Sequence, residues 1–252
     1  MHHSTDAGSV APAGRTNCLL ARLPSDVSER LRPHLTTIPV KVRQVLYRQG
    51  DAIEHVYFPN DCVASVTSVL ATGAMVETAT VGDEGMVGVE AIFVDRAISI
   101  GETIVQVPGT TMERLEAAAF RAEIAQRSVF EQRVGRYAQV FLAQVMQTAA
   151  CNALHPVLER CCRWLLQTHD RVHGHDFSLS HEFLGVMLGV RRSTVTVVAG
   201  RLQSAGLIKY AHGRVRVLDR RGLEEASCEC YCLIREQFDR LECETGTAAS
   251  PG

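Results

Sequence analysis

Apolar positions change their period along the chain. Between residues 17 and 35, Leu19, Leu20, Leu23, Val27, Leu31 and Leu35 recur at helical spacing, predicting one or two short helices with Ser25, after Pro24, as a cap. From 37 to about 114, short β-branched runs (45–51, 55–61, 62–70, 75–85 and 98–109) alternate with turn signals at Gly50-Asp51, Asn60-Asp61, Gly82-Asp83, Gly101 and Pro108-Gly109. Many short strands so spaced predict an all-β barrel or roll. Helical spacing returns at 129–153, where Phe130, Val134, Tyr137, Phe141, Val145 and Thr148 step by 4, 3, 4, 4 and 3. That stripe suits either a coiled-coil seam or a helix packed on its own domain. His155-Pro156 interrupts it, and a new helix is expected over 156–172 with Pro156 in its first turn. Asn152–His155 is therefore the expected hinge.

Residues 179–219 carry the most informative pattern. Ser180 caps a short helix with apolar Phe183, Leu184, Met187 and Leu188, and Gly189 permits a tight turn. A second helix from about Arg191 has Val195, Val198 and Leu202 on one face and ends at Gly206. The stretch 207–219 reads as a two-stranded wing turning at His212-Gly213. Helix, tight turn, helix and β-wing form a unit whose second helix enters the major groove of DNA with its N-terminal residues at the base edges. The candidate contacts are Arg191, Arg192, Ser193, Thr194, Thr196 and Arg201 on the helix, with His212 and Arg214 on the wing. Arginine can donate two bonds to guanine, and Ser or Thr can reach bases or phosphates.

Charge sharpens this picture. The 252 residues carry a formal net charge of −2 from 26 basic and 28 acidic side chains, a total that argues against a nucleic-acid partner. Its distribution reverses the argument. Residues 191–221 hold eight basic side chains against the single acid Asp219, a block of +7 on a remainder of −9. Hydrophobic content of 46% and charged content of 21% fit a soluble globular chain. No secretory signal or membrane-length apolar run is visible, so the nine cysteines read as cytosolic thiols and the localisation as cytoplasmic.

These pieces resemble, across nearly the whole length, the Crp/Fnr family of bacterial transcription regulators. The resemblance rests on the strand signature Leu46-Tyr47, Gly50-Asp51 and Val56-Tyr57-Phe58, the long helix, the hinge, and Leu184…Leu188-Gly189-Val190-Arg191-Arg192-Ser193-Thr194-Val195 with Gly206-Leu207-Ile208 leading into the wing. It implies an α+β architecture: an N-terminal double-stranded β-roll of the cyclic-nucleotide-binding kind, a dimerisation helix and a C-terminal winged helix-turn-helix. The expected divisions are a flexible tail at 1–16, a sensor roll at 17–128, a dimerisation helix and hinge at 129–155, and a DNA-binding domain with a C-terminal helix at 156–252. The resemblance also implies a homodimer on a two-fold double-stranded operator, with half-sites ~34 Å apart. RNA polymerase and an unknown small-molecule effector are expected as further partners, and no membrane. Ser193 and Val197 stand where the cyclic-AMP-responsive members carry Glu and Arg, so a different base sequence is expected.

The sensor cassette departs from cyclic-nucleotide binders. Gly88 is followed by Val89 and not by Glu, and Ala97-Ile98-Ser99 stands where an Arg-Ser pair belongs. A buried phosphate without a cation is costly, so cyclic AMP is not the expected effector; Glu90 and Arg96 remain the candidates for an unknown one. Only Cys18 precedes Cys62, which disfavours an N-terminal iron–sulfur site. In a helix over 220–241, Cys228 and Cys232 share a face while Cys230 points away, and Cys161 and Cys162 diverge. No metal and no cofactor are therefore expected. The alternative is a thiol- or metal-responsive sensor, or a module whose winged helix docks a protein partner. Enzymatic readings fail on their motifs. His181-Glu182 opens like a zinc-protease helix, but Gly185 replaces the second histidine, and the glycine-rich 82–88 lacks a Gly-Lys-Ser/Thr ending.

Overall fold

The computed structural model describes residues 16–172 and 176–246. Apart from Thr16, the expected tail lies outside the described residues. Helices α1 (Cys18–Ala21) and α2 (Ser25–Leu31) open the chain, with Pro24 and not Ser25 in the cap position of α2. Seven strands follow: β1 (Leu35–Pro39), β2 (Val45–Tyr47), β3 (His55–Pro59), β4 (Val63–Val69), β5 (Met75–Val81), β6 (Glu102–Val107) and β7 (Thr111–Glu116). They pair antiparallel in two sheets, ordered β1-β7-β3 and β2-β6-β4-β5. Leu35 belongs to β1 and not to a helix, because it pairs with Leu115 of β7. The strand β7 itself had no counterpart among the apolar runs: Glu113, Arg114 and Glu116 mask its alternation.

Helices α3 (Ala117–Ile124) and α4 (Val129–Leu154) close the roll. Ser128 caps α4 by accepting from Phe130 N at 3.3 Å. Of the two readings of the stripe, packing on its own domain is the one its first half meets. Phe130, Val134 and Tyr137 are fully buried in the core of the roll, with Phe130 against Phe58 and Phe120, and Tyr137 Oη donating to Met86 O at 3.0 Å. This face of α4 packs on its own chain.

Helix α5 (Val157–Val172) carries Trp164, Leu165 and Leu166 into a second core shared with the C-terminal region. Beyond it come β8 (Asp176–Ser178), α6 (His181–Leu188), α7 (Arg192–Ser204), β9 (Ile208–Ala211), β10 (Arg214–Val217), α8 (Arg220–Glu225) and α9 (Cys230–Gly246). Two expectations are corrected here. The wing sheet has three strands, β8-β10-β9, since Phe177 pairs with Val215 ahead of the helix pair. The C-terminal helix expected over 220–241 is broken at 226–229, where Ser227 Oγ donates to Glu224 O at 2.8 Å and competes with helical pairing. No single helix among the described residues is long and apolar enough to cross a membrane.

Candidate nucleic-acid interface

Ser180 Oγ caps α6 by accepting from Phe183 N at 3.1 Å, and Leu184, Met187 and Leu188 are buried beneath it. Gly189 ends the helix at φ +65°, a left-handed conformation that favours glycine. The chain then turns so that α6 and α7 meet at 105°, within the range of helix-turn-helix units. Their crossing is tight. A Cβ on Gly185 would lie 2.9 Å from Val190 O and 3.6 Å from Val195 Cγ2. The position that would hold a protease's second histidine has no room for any side chain.

Helix α7 buries Val195, Val198, Ala199 and Leu202, leaving Arg192, Ser193, Thr196, Val197 and Arg201 exposed on the other side. Arg191 precedes the helix in extended conformation; the N-terminus has no side-chain cap and no acid in its first turn. Its partial positive charge therefore adds to that of two exposed arginines, an arrangement suited to an anion. Arg191, Arg192 and Arg201, with Lys209 of β9, have no carboxylate partner among the described residues. Lys209 is a further exposed cation of the same unit, alternating along β9 with the buried Ile208, that motif reading overlooked; its only sequence signal was membership of the basic block.

The other candidates are more constrained. Thr196 Oγ1 donates to Arg192 O at 3.1 Å and so must accept from His181 Nδ1, 3.0 Å away. This sets the His181 tautomer, and the ring stacks on Tyr210 with centroids 4.4 Å apart. Burial, and then the charge of Arg192, lower the proton affinity of His181, keeping it neutral. On the wing, His212 (φ +51°) and Gly213 (φ +72°) form the two-residue turn. Arg214 and Arg216 reach Asp176 of β8 at 3.0 and 3.9 Å, so part of the wing charge is already balanced. Arg220 and Arg221 point away from this task, paired with Asp170, Glu224 and Glu225.

Residues 159–226 match the family model of the Crp-like helix-turn-helix domain. The chain carries a Crp-like domain. Around it the fold is that of Crp/Fnr regulators. FixK2 from Bradyrhizobium japonicum aligns at 15% identity with a TM-score of 0.64, over 77% of this chain and 98% of that one. A transcriptional regulator of the Crp/Fnr family from Eubacterium rectale aligns at 18% and 0.65, over 83% and 97%. The c-di-GMP responsive regulator CLP from Xanthomonas campestris aligns at 17% and 0.59, over 77% and 99%. At these identities the likeness is one of fold. No curated protein matches the sequence.

The Crp-like domain rests on the roll. A Cβ on Gly189 would touch Val76 Cγ2 of β5 at 3.4 Å, and Arg43 Nη2 donates to Ser180 Oγ at 3.4 Å. Within the roll, Glu90 lies on a short 3-10 turn (Val89–Ile92), its carboxylate accepting from Ile100 N at 3.4 Å. Arg96 is exposed, and no hydrogen bond or ion pair joins it to Glu90 among the described residues. Beside Gly88, the buried Tyr47 fills the space and donates to His55 O.

Proposed function

We propose that the chain is a cytoplasmic, sequence-specific DNA-binding transcription regulator, with residues 17–128 as sensor, 129–155 as dimerisation helix and hinge, and 156–252 as reading domain. The observation that carries this reading is the uncapped N-terminus of α7. It presents Arg191, Arg192, Ser193 and Thr194, with an exposed Arg201 in the last turn of the same helix and the His212-Gly213 wing on the same unit. Arg192 is assigned to a base edge, and the helix end with Arg191 and Lys209 to phosphates. The exposed Val197 offers an apolar surface to a thymine methyl.

A homodimer is supported by a different stripe of α4 from the one periodicity singled out. Gly135, Gln139, Leu142, Met146, Ala149 and Ala153 step by 4, 3, 4, 3 and 4, and all are exposed. Leu142 and Met146 are 58% and 65% accessible, exposure that a second copy of the same helix would remove. Two such chains set their α7 helices on a two-fold site. The Tyr47 side chain packed against Gly88, and the absence of an arginine-serine pair from the sequence there, support an effector other than cyclic AMP.

Binding-site selection from random duplex DNA tests the reading, followed by gel shifts of the selected site at several salt concentrations. Affinity should fall steeply with salt through counterion release. Failure to enrich any sequence, or salt-insensitive binding to a protein partner through the same face, overturns it.

A further inference from the structure

Cys151 and His155 lie at the C-terminal end of α4; Cys228 lies in the break before α9, and Cys230 is the first residue of α9. The break corrects the expectation that the cysteines diverge, since Cys228 and Cys230 are not on one continuous helix. One donor atom from each of the four residues lies within 4.8 Å of all the others. The Cys151 and Cys228 sulfurs are 3.5 Å apart, as are Cys230 Sγ and His155 Nδ1. Zinc bonds of about 2.3 Å to sulfur and 2.0–2.1 Å to nitrogen give tetrahedral edges of roughly 3.5–3.8 Å. The donors are therefore already gathered at the spacing of a single tetrahedral ion, too compact for a cluster of several iron atoms.

Buried thiols are common without metal, and Cys161 and Cys162 show how they then look. Both lie in the apolar core around Trp164, and burial pushes the Cys162 thiol up to about 12. Cys151, Cys228 and Cys230 instead cluster with one another. Their surroundings are polar and oriented. His155 Nε2 is 3.3 Å from Glu229 Oε2, which turns Nδ1 toward the sulfurs, as carboxylates do behind metal-bound histidines. Gln147 Nε2 donates to Cys230 Sγ at 3.0 Å. The buried Arg160 and Arg163 act electrostatically on Cys151, and three thiolates with one Zn²⁺ leave a net single negative charge for them to balance.

We propose that Cys151, His155, Cys228 and Cys230 form a closed, four-coordinate zinc site that fastens the end of α4 to the start of α9. Zn²⁺ displaces the three thiol protons to solvent and takes the neutral imidazole through Nδ1, with no change of oxidation state. Three soft thiolates and an imidazole select zinc over magnesium or calcium, and four protein ligands leave no open position for catalysis. The site sits at the His155-Pro156 junction. Arg160, which contacts Asn152 O at 3.4 Å and also donates to Leu188 O, connects it to the turn between α6 and α7. The proposal is independent of DNA binding, because metal content is read on the protein alone.

The full chain, produced with zinc in the medium and purified without chelator, should contain about one zinc per chain by mass spectrometry of the metal. Cys151→Ser, Cys228→Ser and Cys230→Ser should each lose it, while Cys232→Ser, at an exposed cysteine outside the set, should keep it. If the serine variants do not fold, cobalt titration of the metal-free wild type replaces them. It should give tetrahedral thiolate-cobalt absorption that saturates at about one equivalent and is abolished by zinc. Wild-type protein that takes up neither metal overturns the proposal. So do iron with sulfur-to-iron absorption, a Cys151–Cys228 disulfide in place of metal, or zinc retained by the folded serine variants.

Discussion

Ser65 Oγ lies 2.5 Å from Glu77 Oε2 while standing 2.6 Å from Gln106 Oε1, with all three residues buried. One hydroxyl proton cannot serve two acceptors. Gln106 Nε2 donates to Thr168 Oγ1 at 2.9 Å, which holds its oxygen toward Ser65. The network is satisfied when Glu77 is protonated and donates to Ser65, which then donates to Gln106. Burial accordingly raises the Glu77 carboxyl to about 7, against the lowering effects of Ser65 and the Arg163 and Arg171 charges.

A raised carboxyl in the folded state contributes stability that is complete below the unfolded value and lost as pH rises through the folded one. The window here runs from 4.5 to about 7. Across it, Glu77 should remove on the order of 3 kcal/mol of stability. Denaturant unfolding followed by the fluorescence of the buried Trp164 should show this fall. Glu77→Gln should flatten it and be the more stable protein at pH 8. A wild-type profile identical to that of Glu77→Gln over this window would refute the assignment.

Arg192→Ala should weaken binding to the selected operator by ~1–3 kcal/mol and relax the base preference at one position per half-site. Lys209→Ala should weaken all duplexes nearly equally and lower the salt slope by about one. Gel shifts at matched salt separate the two; equal losses of specificity would remove the division of labour between them.

Leu142→Arg places a charge in the middle of the exposed stripe of α4. Sedimentation should show the wild type as a dimer and this variant shifted to monomer, with an unchanged far-ultraviolet circular dichroism spectrum. A dimer unaffected by Leu142→Arg and Met146→Arg together would place the interface elsewhere.

Gly185→Ala forces a methyl to 2.9 Å from Val190 O, a backbone atom with little freedom to move. The expected cost is about 1–3 kcal/mol, measured by denaturant unfolding. Gly200→Ala, where nothing lies within 4 Å, is the matched control and should be neutral or stabilising.

The helix-turn-helix was legible because its demands are local. Ser180, Gly189, Gly206 and the His212-Gly213 pair each do in the structure what their chemistry prescribes. The β-roll was legible as a class, yet β1 and β7 were missed: their pairing is a long-range event between segments about 75 residues apart. The stripe on α4 left two readings open for a related reason. Periodicity finds apolar faces but not their partners, and the face with larger side chains packs on its own roll while Gly135 and Ala149 weaken the other. The four-residue gathering at Cys151 was invisible because it depends on a helix break at Ser227 and on contact between α4 and α9.

The third wing strand has a consequence for how a duplex would be chosen. Leu179 N donates to Gly213 O at 2.7 Å and Tyr210 Oη to Leu179 O at 2.7 Å, so the wing tip is sewn to the segment entering α6. The wing and α7 then have a fixed span between them. Any DNA gripped by both must match that span in groove width and local bend. On the proposed reading, stiffness and shape of base steps that touch no side chain would thereby become part of the recognised sequence.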